Sequence, residues 1–169
     1  LPTGGAKVAM VSRSLDAFLE AGYVYVGMDH FALPTDALAI AKRQGRLHRN
    51  FQGYSTQPDC DLIGLGVSAI GRIGATYSQN AKTLDEYYDH LDQGRLPVVR
   101  GLALNRDDLV RRAAIMALMC QGELLIEPME QAWLIDFRRY FAAELDQLQD
   151  MQTQGLVEVG EEGVRVTAM

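Results

Sequence analysis

The run Ala21-Gly22-Tyr23-Val24-Tyr25-Val26-Gly27-Met28-Asp29-His30-Phe31 decides how the chain is read. Gly22 is placed to stop a helix, because glycine accepts the left-handed backbone that helix ends favour. Tyr23-Val24-Tyr25-Val26 follows at once, and alternating aromatic and β-branched residues suit a strand. Upstream, Val8, Val11, Leu15, Phe18 and Leu19 share one stripe at helical spacing, which predicts a helix over residues 7–21. Helix, short link and strand is the rhythm of a βα-repeat, and residues 27–31 are read as the loop after the strand, where such folds carry function. The fold class this predicts is α/β.

Further along, Leu33-Pro34-Thr35-Asp36 opens a second helix with Thr35 as its N-cap, closed by Gly45. Residues 46–74 read as irregular extended chain: the first part is aromatic without helical period, and residues 61–74 are glycine-rich, which weakens helix and strand alike. Thr83-Leu84-Asp85-Glu86 has the spacing of a capping box and starts a helix with Leu84, Tyr87, Tyr88 and Leu91 on its apolar face, ended by Gly94. Residues 96–104 are extended. Asn105 caps the next helix, with Asp107 and Asp108 at its positive end, and the helix runs through Leu109, Ala113, Met116 and Cys120 to Gly122. Pro128, tolerated in a first turn, begins a longer helix with the stripe Met129, Trp133, Phe137, Tyr140, Phe141, Leu145 and Leu148. Residues 156–159 and 164–167 form a hairpin about Gly160-Glu161-Glu162-Gly163. Two parts are expected: residues 1–94, a glycine-rich α/β portion, and residues 95–169, a mostly helical domain whose terminal β-hairpin makes it winged-helix-like.

A chain of 169 residues is one domain, or one with a small companion. Its formal charge of −6 argues against general nucleic-acid binding, which needs clustered Lys and Arg. Two cysteines, Cys60 and Cys120, are too few for a disulfide scaffold, so a reducing, cytoplasmic setting is expected. No apolar run is long enough to cross a membrane, and none of the sequence reads as a basic-then-apolar leader. The first residue is Leu1 rather than Met, in keeping with a start inside a longer polypeptide.

Several residue groups are candidate sites. Gly64-Leu65-Gly66-Val67-Ser68-Ala69 can be laid on a dinucleotide fingerprint, but Ile70-Gly71-Arg72-Ile73-Gly74 is a poor helix start, and the fingerprint needs a helix there. A tightly packed apolar strand pair is the plainer account. His30, His48 and His90 have no zinc-like spacing with each other or with the cysteines, so no metal site is expected. His90 reads as a surface residue. Lys42, Arg43, Arg46, His48 and Arg49 concentrate positive charge in an acidic chain. They read either as a solvated helix end or as a reader of an anionic small molecule, since the guanidinium fork suits carboxylates.

Taken in order, Gly27-Met28-Asp29-His30-Phe31-Ala32, then Leu47-His48-Arg49-Asn50-Phe51-Gln52-Gly53-Tyr54, then Gly66-Val67-Ser68-Ala69-Ile70 resemble the oxygen-independent coproporphyrinogen III oxidase family. The middle stretch is the most specific, and the similarity extends over essentially the whole chain. The resemblance implies a radical S-adenosylmethionine enzyme of haem biosynthesis that decarboxylates two propionates of coproporphyrinogen III to vinyls, giving protoporphyrinogen IX and passing electrons to an acceptor. It implies a [4Fe–4S] cluster held by a Cys-x-x-x-Cys-x-x-Cys motif and a second S-adenosylmethionine whose contacts match Phe51, Gln52 and Ile70. It also implies a fold, the last part of a partial (β/α) barrel followed by the helical C-terminal domain.

The family is more than twice as long as this chain, and its cluster cysteines fall before Leu1. The chain is therefore expected to be a C-terminal piece that lacks the N-terminal barrel, has no catalytic residue of its own and is inactive alone. Arg43, Arg46 or Arg49 are candidates for the substrate carboxylates on grounds of charge. The rival readings are a related haem chaperone of the same superfamily and a winged-helix regulatory module.

Overall fold

The computed structural model describes residues 2–57 and 60–167; residues 58 and 59, inside the stretch expected to be irregular, lie outside it, as do 1, 168 and 169. The chain is mixed α/β and forms two compact units, Leu1–Pro58 with Met116–Met169, and Asp59–Ile115. Every strand ladder among the described residues is antiparallel, and these residues form no closed barrel.

The first unit begins with helix α1 (Gly4–Glu20), which starts earlier than its apolar stripe because Thr3 caps it, its Oγ1 accepting from the Ala6 N–H at 3.3 Å. None of its residues is buried, and Val8, Val11, Phe18 and Leu19 are exposed. Strand β1 (Val24–Gly27) does not lead into an open loop as expected. It turns back through Met28 and Asp29 into β2 (His30–Ala32), with Met28 at φ 52° making the reversal tight. Tyr25 faces Phe31 and Gly27 faces His30, so Val26 is the extra residue of a bulge.

Helix α2 (Ala37–Arg43) is capped by Asp36, not by Thr35: Asp36 Oδ1 accepts from the Leu38 N–H at 2.8 Å. Asp36, one residue nearer the first turn, takes the position that spacing alone gave to Thr35. Two further short strands, β3 (His48–Asn50) and β4 (Gly53–Ser55), pair as a hairpin inside the stretch read as irregular. Val26, Ala32, Ala39, Ala41, Leu47 and Cys120 form a buried cluster, with Val24, Leu38, Tyr54 and Met116 packed on it.

The second unit holds an antiparallel sheet of β5 (Ile70–Ile73), β6 (Thr76–Asn80) and β7 (Val98–Ala103), in that order, with helix α3 (Leu84–Asp92) between the last two strands. The boundary expected between residues 94 and 95 falls inside this unit. Thr83 caps α3, accepting from Glu86 N–H at 3.4 Å, as its sequence spacing predicts. His90 is only half-exposed, its Nδ1 lying 3.2 Å from the Leu96 carbonyl, so it is less of a surface residue than its helix position suggested.

Helix α4 (Arg106–Gln121) begins with a reciprocal cap: Asn105 Oδ1 accepts from Asp108 N–H at 3.0 Å while Asp108 Oδ2 accepts from Asn105 N–H at 2.9 Å. The division between the two units falls within this helix. Beyond Gly122, β8 (Glu123–Leu125) is followed by three helices where one long helix was expected: α5 (Ile126–Trp133), α6 (Phe137–Tyr140) and α7 (Ala142–Thr153). The break is at Leu134, which adopts φ 51°, and Asp136 and Glu130 restart the helix by accepting from Arg139 N–H and Phe137 N–H. Pro128 therefore sits in the third position of α5, still in the first turn where no intrahelical donor is lost. Met129, Phe137 and Phe141 are buried as the stripe predicted. The expected terminal hairpin is present as β9 (Val157–Val159) and β10 (Gly163–Val166), and β10 also pairs with β8.

Cys60 is exposed and Cys120 buried in the core cluster. Burial pushes the Cys120 thiol up, opposed by the nearby Arg49 charge. A folded chain that holds this proton more tightly than the unfolded chain gains stability that is full below the ordinary thiol pKa and is lost as pH rises through the raised value. A thiol reagent at neutral pH is therefore expected to titrate one cysteine at once and the second only after denaturation. Two equally fast thiols would contradict this packing.

Candidate functional site

The three stretches that carried the family resemblance occupy specific structural positions. The first is the turn of the β1–β2 hairpin and the second is the β3–β4 hairpin. The two hairpins meet through Tyr54. A Cβ on Gly27 would collide with the Tyr54 hydroxyl and lie 2.7 Å from its Cζ, so glycine there leaves the room the ring occupies. A Cβ on Gly53 would lie 3.1 Å from His30 Nε2, and the His30 and Tyr54 rings stand edge-to-face at 5.1 Å. The Tyr54 hydroxyl donates to the Met119 carbonyl at 2.8 Å, and the Arg49 guanidinium lies over the ring at 4.8 Å. Arg49 Nη1 is buried with no hydrogen-bond acceptor among the described residues, and the ring face is what it meets instead. Burial pushes the Tyr54 phenol up, while Arg49 pulls it back.

This interlock fixes the base of the β3–β4 hairpin and presents its tip. Asn50 faces Gly53, which leaves Phe51 and Gln52 as the two tip residues. Asn50 Oδ1 accepts from the Gln52 N–H at 2.8 Å, an Asx turn that shapes the tip from its first residue. Phe51 is 58% exposed, a large aromatic held out on a short, braced hairpin.

Ile70, in the second unit, opens β5. The Arg72 N–H and C=O bond outward to Leu62, both at 2.7 Å, and the Ala69 carbonyl accepts from Asn80 N–H on the β6 side. Alternation along an antiparallel strand then turns the Ile70 N–H and C=O to the outer edge, away from β6. Gly64 lies beside them, since a Cβ there would come 2.8 Å from the Ile70 carbonyl oxygen. The glycine-rich run 64–69 is followed by this strand and not by a helix, which removes the dinucleotide reading.

A family model for the HemN C-terminal domain matches residues 104–168. The oxygen-independent coproporphyrinogen III oxidase of Pseudomonas aeruginosa is 48% identical over 168 residues, covering 99% of this chain and 36% of that protein. The enzyme of the same name from Escherichia coli is 46% identical, over 99% of this chain and 37% of its own length. A solved structure of coproporphyrinogen III oxidase from Escherichia coli, described as a radical SAM enzyme, superposes with a TM-score of 0.93 at 47% identity, covering 99% of this chain and 38% of that one.

The chain is similar along 99% of its length to proteins named oxygen-independent coproporphyrinogen III oxidase. It spans a little over a third of the length of these relatives.

The iron–sulfur cluster expected from the family resemblance does not fit the residues present. The sequence holds two cysteines, one exposed and one buried, and among the described residues no three His, Cys, Asp or Glu gather as a ligand set. The basic cluster also divides. Lys42 Nζ donates to the Tyr25 and Val26 carbonyls at 3.0 and 2.7 Å, and burial lowers its pKa. Arg43 donates to the Pro34 carbonyl at 2.9 Å, Arg46 to the Gln44 side chain, and Arg49 covers Tyr54. Sequence reasoning missed Tyr54, Gly27 and His30 as one assembly, although all three lie in the stretches it singled out.

Gly27→Ala is expected to lower the unfolding transition by about 1–3 kcal/mol, because Tyr54 is held by Met119 and Arg49 and has nowhere to retreat. The measurement is denaturant unfolding followed by tryptophan fluorescence. An unchanged midpoint would show that the ring moves freely.

Proposed function

We propose that this chain is part of an oxygen-independent coproporphyrinogen III oxidase and contributes contacts to a second S-adenosylmethionine. The observation that carries this is similarity running along 99% of the chain to enzymes of that name. The reaction would be oxidative decarboxylation of two propionates of coproporphyrinogen III, for which S-adenosylmethionine and a [4Fe–4S] cluster would supply the initiating radical and an acceptor would take the electrons. The cluster ligands belong to an N-terminal barrel that this chain does not contain. The exposed apolar face of α1, with Val8, Val11, Phe18 and Leu19, supports a place for α1 and β1 in the last part of that barrel.

In the first unit Phe51 offers a ring face to the cofactor and Gln52 a side-chain amide; in the second, Ile70 offers an outward N–H and C=O. The braced hairpin supports the first two roles, and the strand parity at β5 supports the third. The Asn50-Phe51-Gln52-Gly53-Tyr54 segment favours the oxidase over the related haem chaperone.

The C-terminal region has its own reading. Helix, strand, helices and hairpin, with sheet order β8-β10-β9, support a winged-helix-like reading. Its wing tip carries Glu161 and Glu162, and α7 has neither Lys nor Arg, so the module serves packing and not DNA binding.

In a protein of oxidase length carrying this sequence, Phe51→Ala and Gln52→Ala are expected to cut vinyl formation ~10-fold or more while iron and sulfide content stay unchanged, as for loss of contacts that position a reactant. Wild-type turnover in both variants would remove the contact assignment. The 169-residue chain alone is expected to bind no iron–sulfur cluster and to show no turnover. A stoichiometric cluster absorption from the isolated chain would overturn that.

A further inference from the structure

Asn80 is the one buried polar side chain among the described residues, 7% exposed. Burying an amide costs desolvation that only well-made hydrogen bonds return. Asn80 spends its donors on a single segment: Nδ2 donates to the Gly64 carbonyl at 3.2 Å and to the Gly66 carbonyl at 2.9 Å, and its backbone N–H to the Ala69 carbonyl at 2.9 Å. The same segment is held from α3, where the Tyr87 hydroxyl accepts from the Gly66 N–H at 3.3 Å. Ser68 N–H donates to the Ala81 carbonyl at 2.7 Å.

A bulge sets up this arrangement. Gln79 faces Arg100 but Asn80 faces Val98, so Val99 is an extra residue on β7 and the ladder turns at Asn80. The segment so held has left-handed backbone at Gly66, φ 96°, which glycine accepts freely, and at the non-glycine Ser68, φ 60°, where it is strained. Such a backbone persists only where its surroundings fix it, and strain of this kind gathers at ligand-contacting loops. The held segment begins at Gly64, where a Cβ would lie 2.8 Å from the Ile70 carbonyl oxygen, and ends one residue before Ile70 itself.

We propose, on the reading of Ile70 given above, that Asn80 and Tyr87 are positioning residues that preset the 64–69 loop and the Ile70 backbone for S-adenosylmethionine. Neither touches the cofactor; both act through the loop. Presetting lowers the ordering cost of binding, so their loss weakens cofactor affinity and spares the chemical step once the cofactor is saturating.

The test uses a protein of oxidase length carrying this sequence, with its cluster reconstituted and vinyl formation measured against S-adenosylmethionine concentration at saturating coproporphyrinogen III. Asn80→Asp keeps the side-chain shape but sets a carboxylate against two carbonyls, and Tyr87→Phe removes only the acceptor for Gly66. Half-saturation is expected to rise ~10-fold or more in Asn80→Asp and ~3-fold in Tyr87→Phe, with kcat within about twofold of the parent. Faster deuterium exchange across residues 64–70 is expected to accompany it. If Asn80→Asp does not fold, Tyr87→Phe alone decides. A lower melting temperature with unchanged half-saturation in the folded variants would make the pair scaffold residues and overturn the proposal. Failure of the contact reading itself would look different, because Phe51→Ala would then also leave the cofactor dependence unchanged.

Discussion

The phenol ring of Tyr54 lies in space that any side chain on Gly27 would fill, and the arrangement of the first hairpins follows from that contact. The ring is pinned at its hydroxyl by Met119, covered by Arg49 and met edge-on by His30. Each neighbour comes from a different element, so the ring fastens both hairpins to the end of α4. A hairpin of three-residue strands has little stability of its own. Anchored in this way, it can hold Phe51 out in solvent without its tip wandering, which a site on a free loop could not do.

A second anchor of the same logic operates in the other unit. Asn80 is buried so that the glycine-rich run beside Ile70 keeps one shape. Both anchors put a polar or aromatic group under a segment that is itself poorly structured, and in both cases glycine is what lets the backbone come close. Gly27 and Gly64 are not turn glycines: neither has positive φ, and each is needed for the absence of a Cβ. Apolar surface is left over in both units, on α1 and at Ile63, Leu65, Leu84 and Leu96, far more than scattered surface residues require.

The local features of the sequence carried directly into the structure. Glycine stops at Gly22, Gly45, Gly94 and Gly122, the Thr83 and Asn105 caps and the terminal hairpin all depend on residues within a few positions of one another. The long helix after Pro128 did not survive as one. Its apolar period runs on past Leu134, but Asp136 competes as a cap and wins, with Glu130 supplying a second acceptor from the previous turn. Periodicity reports which residues are buried, and Met129, Phe137 and Phe141 are; it does not report whether the backbone between them stays helical.

By itself the sequence determined the glycine helix stops, the Thr83 and Asn105 caps, the buried stripe and the family resemblance, because each is written in short-range spacing or in unusual strings such as Asn50-Phe51-Gln52-Gly53-Tyr54. Strand pairing was decided only in three dimensions. Residues 21–31 read as a strand leaving into a loop, and residues 46–56 read as irregular chain; both are hairpins. A strand of three or four residues has too little pattern to announce its partner, and its pairing is fixed by what its side chains meet across the fold. Tyr54 meeting Gly27, and Asn80 reaching back to Gly64 and Gly66, join residues 14 or more positions apart. Contacts at that separation are set by packing, and no local spacing encodes them.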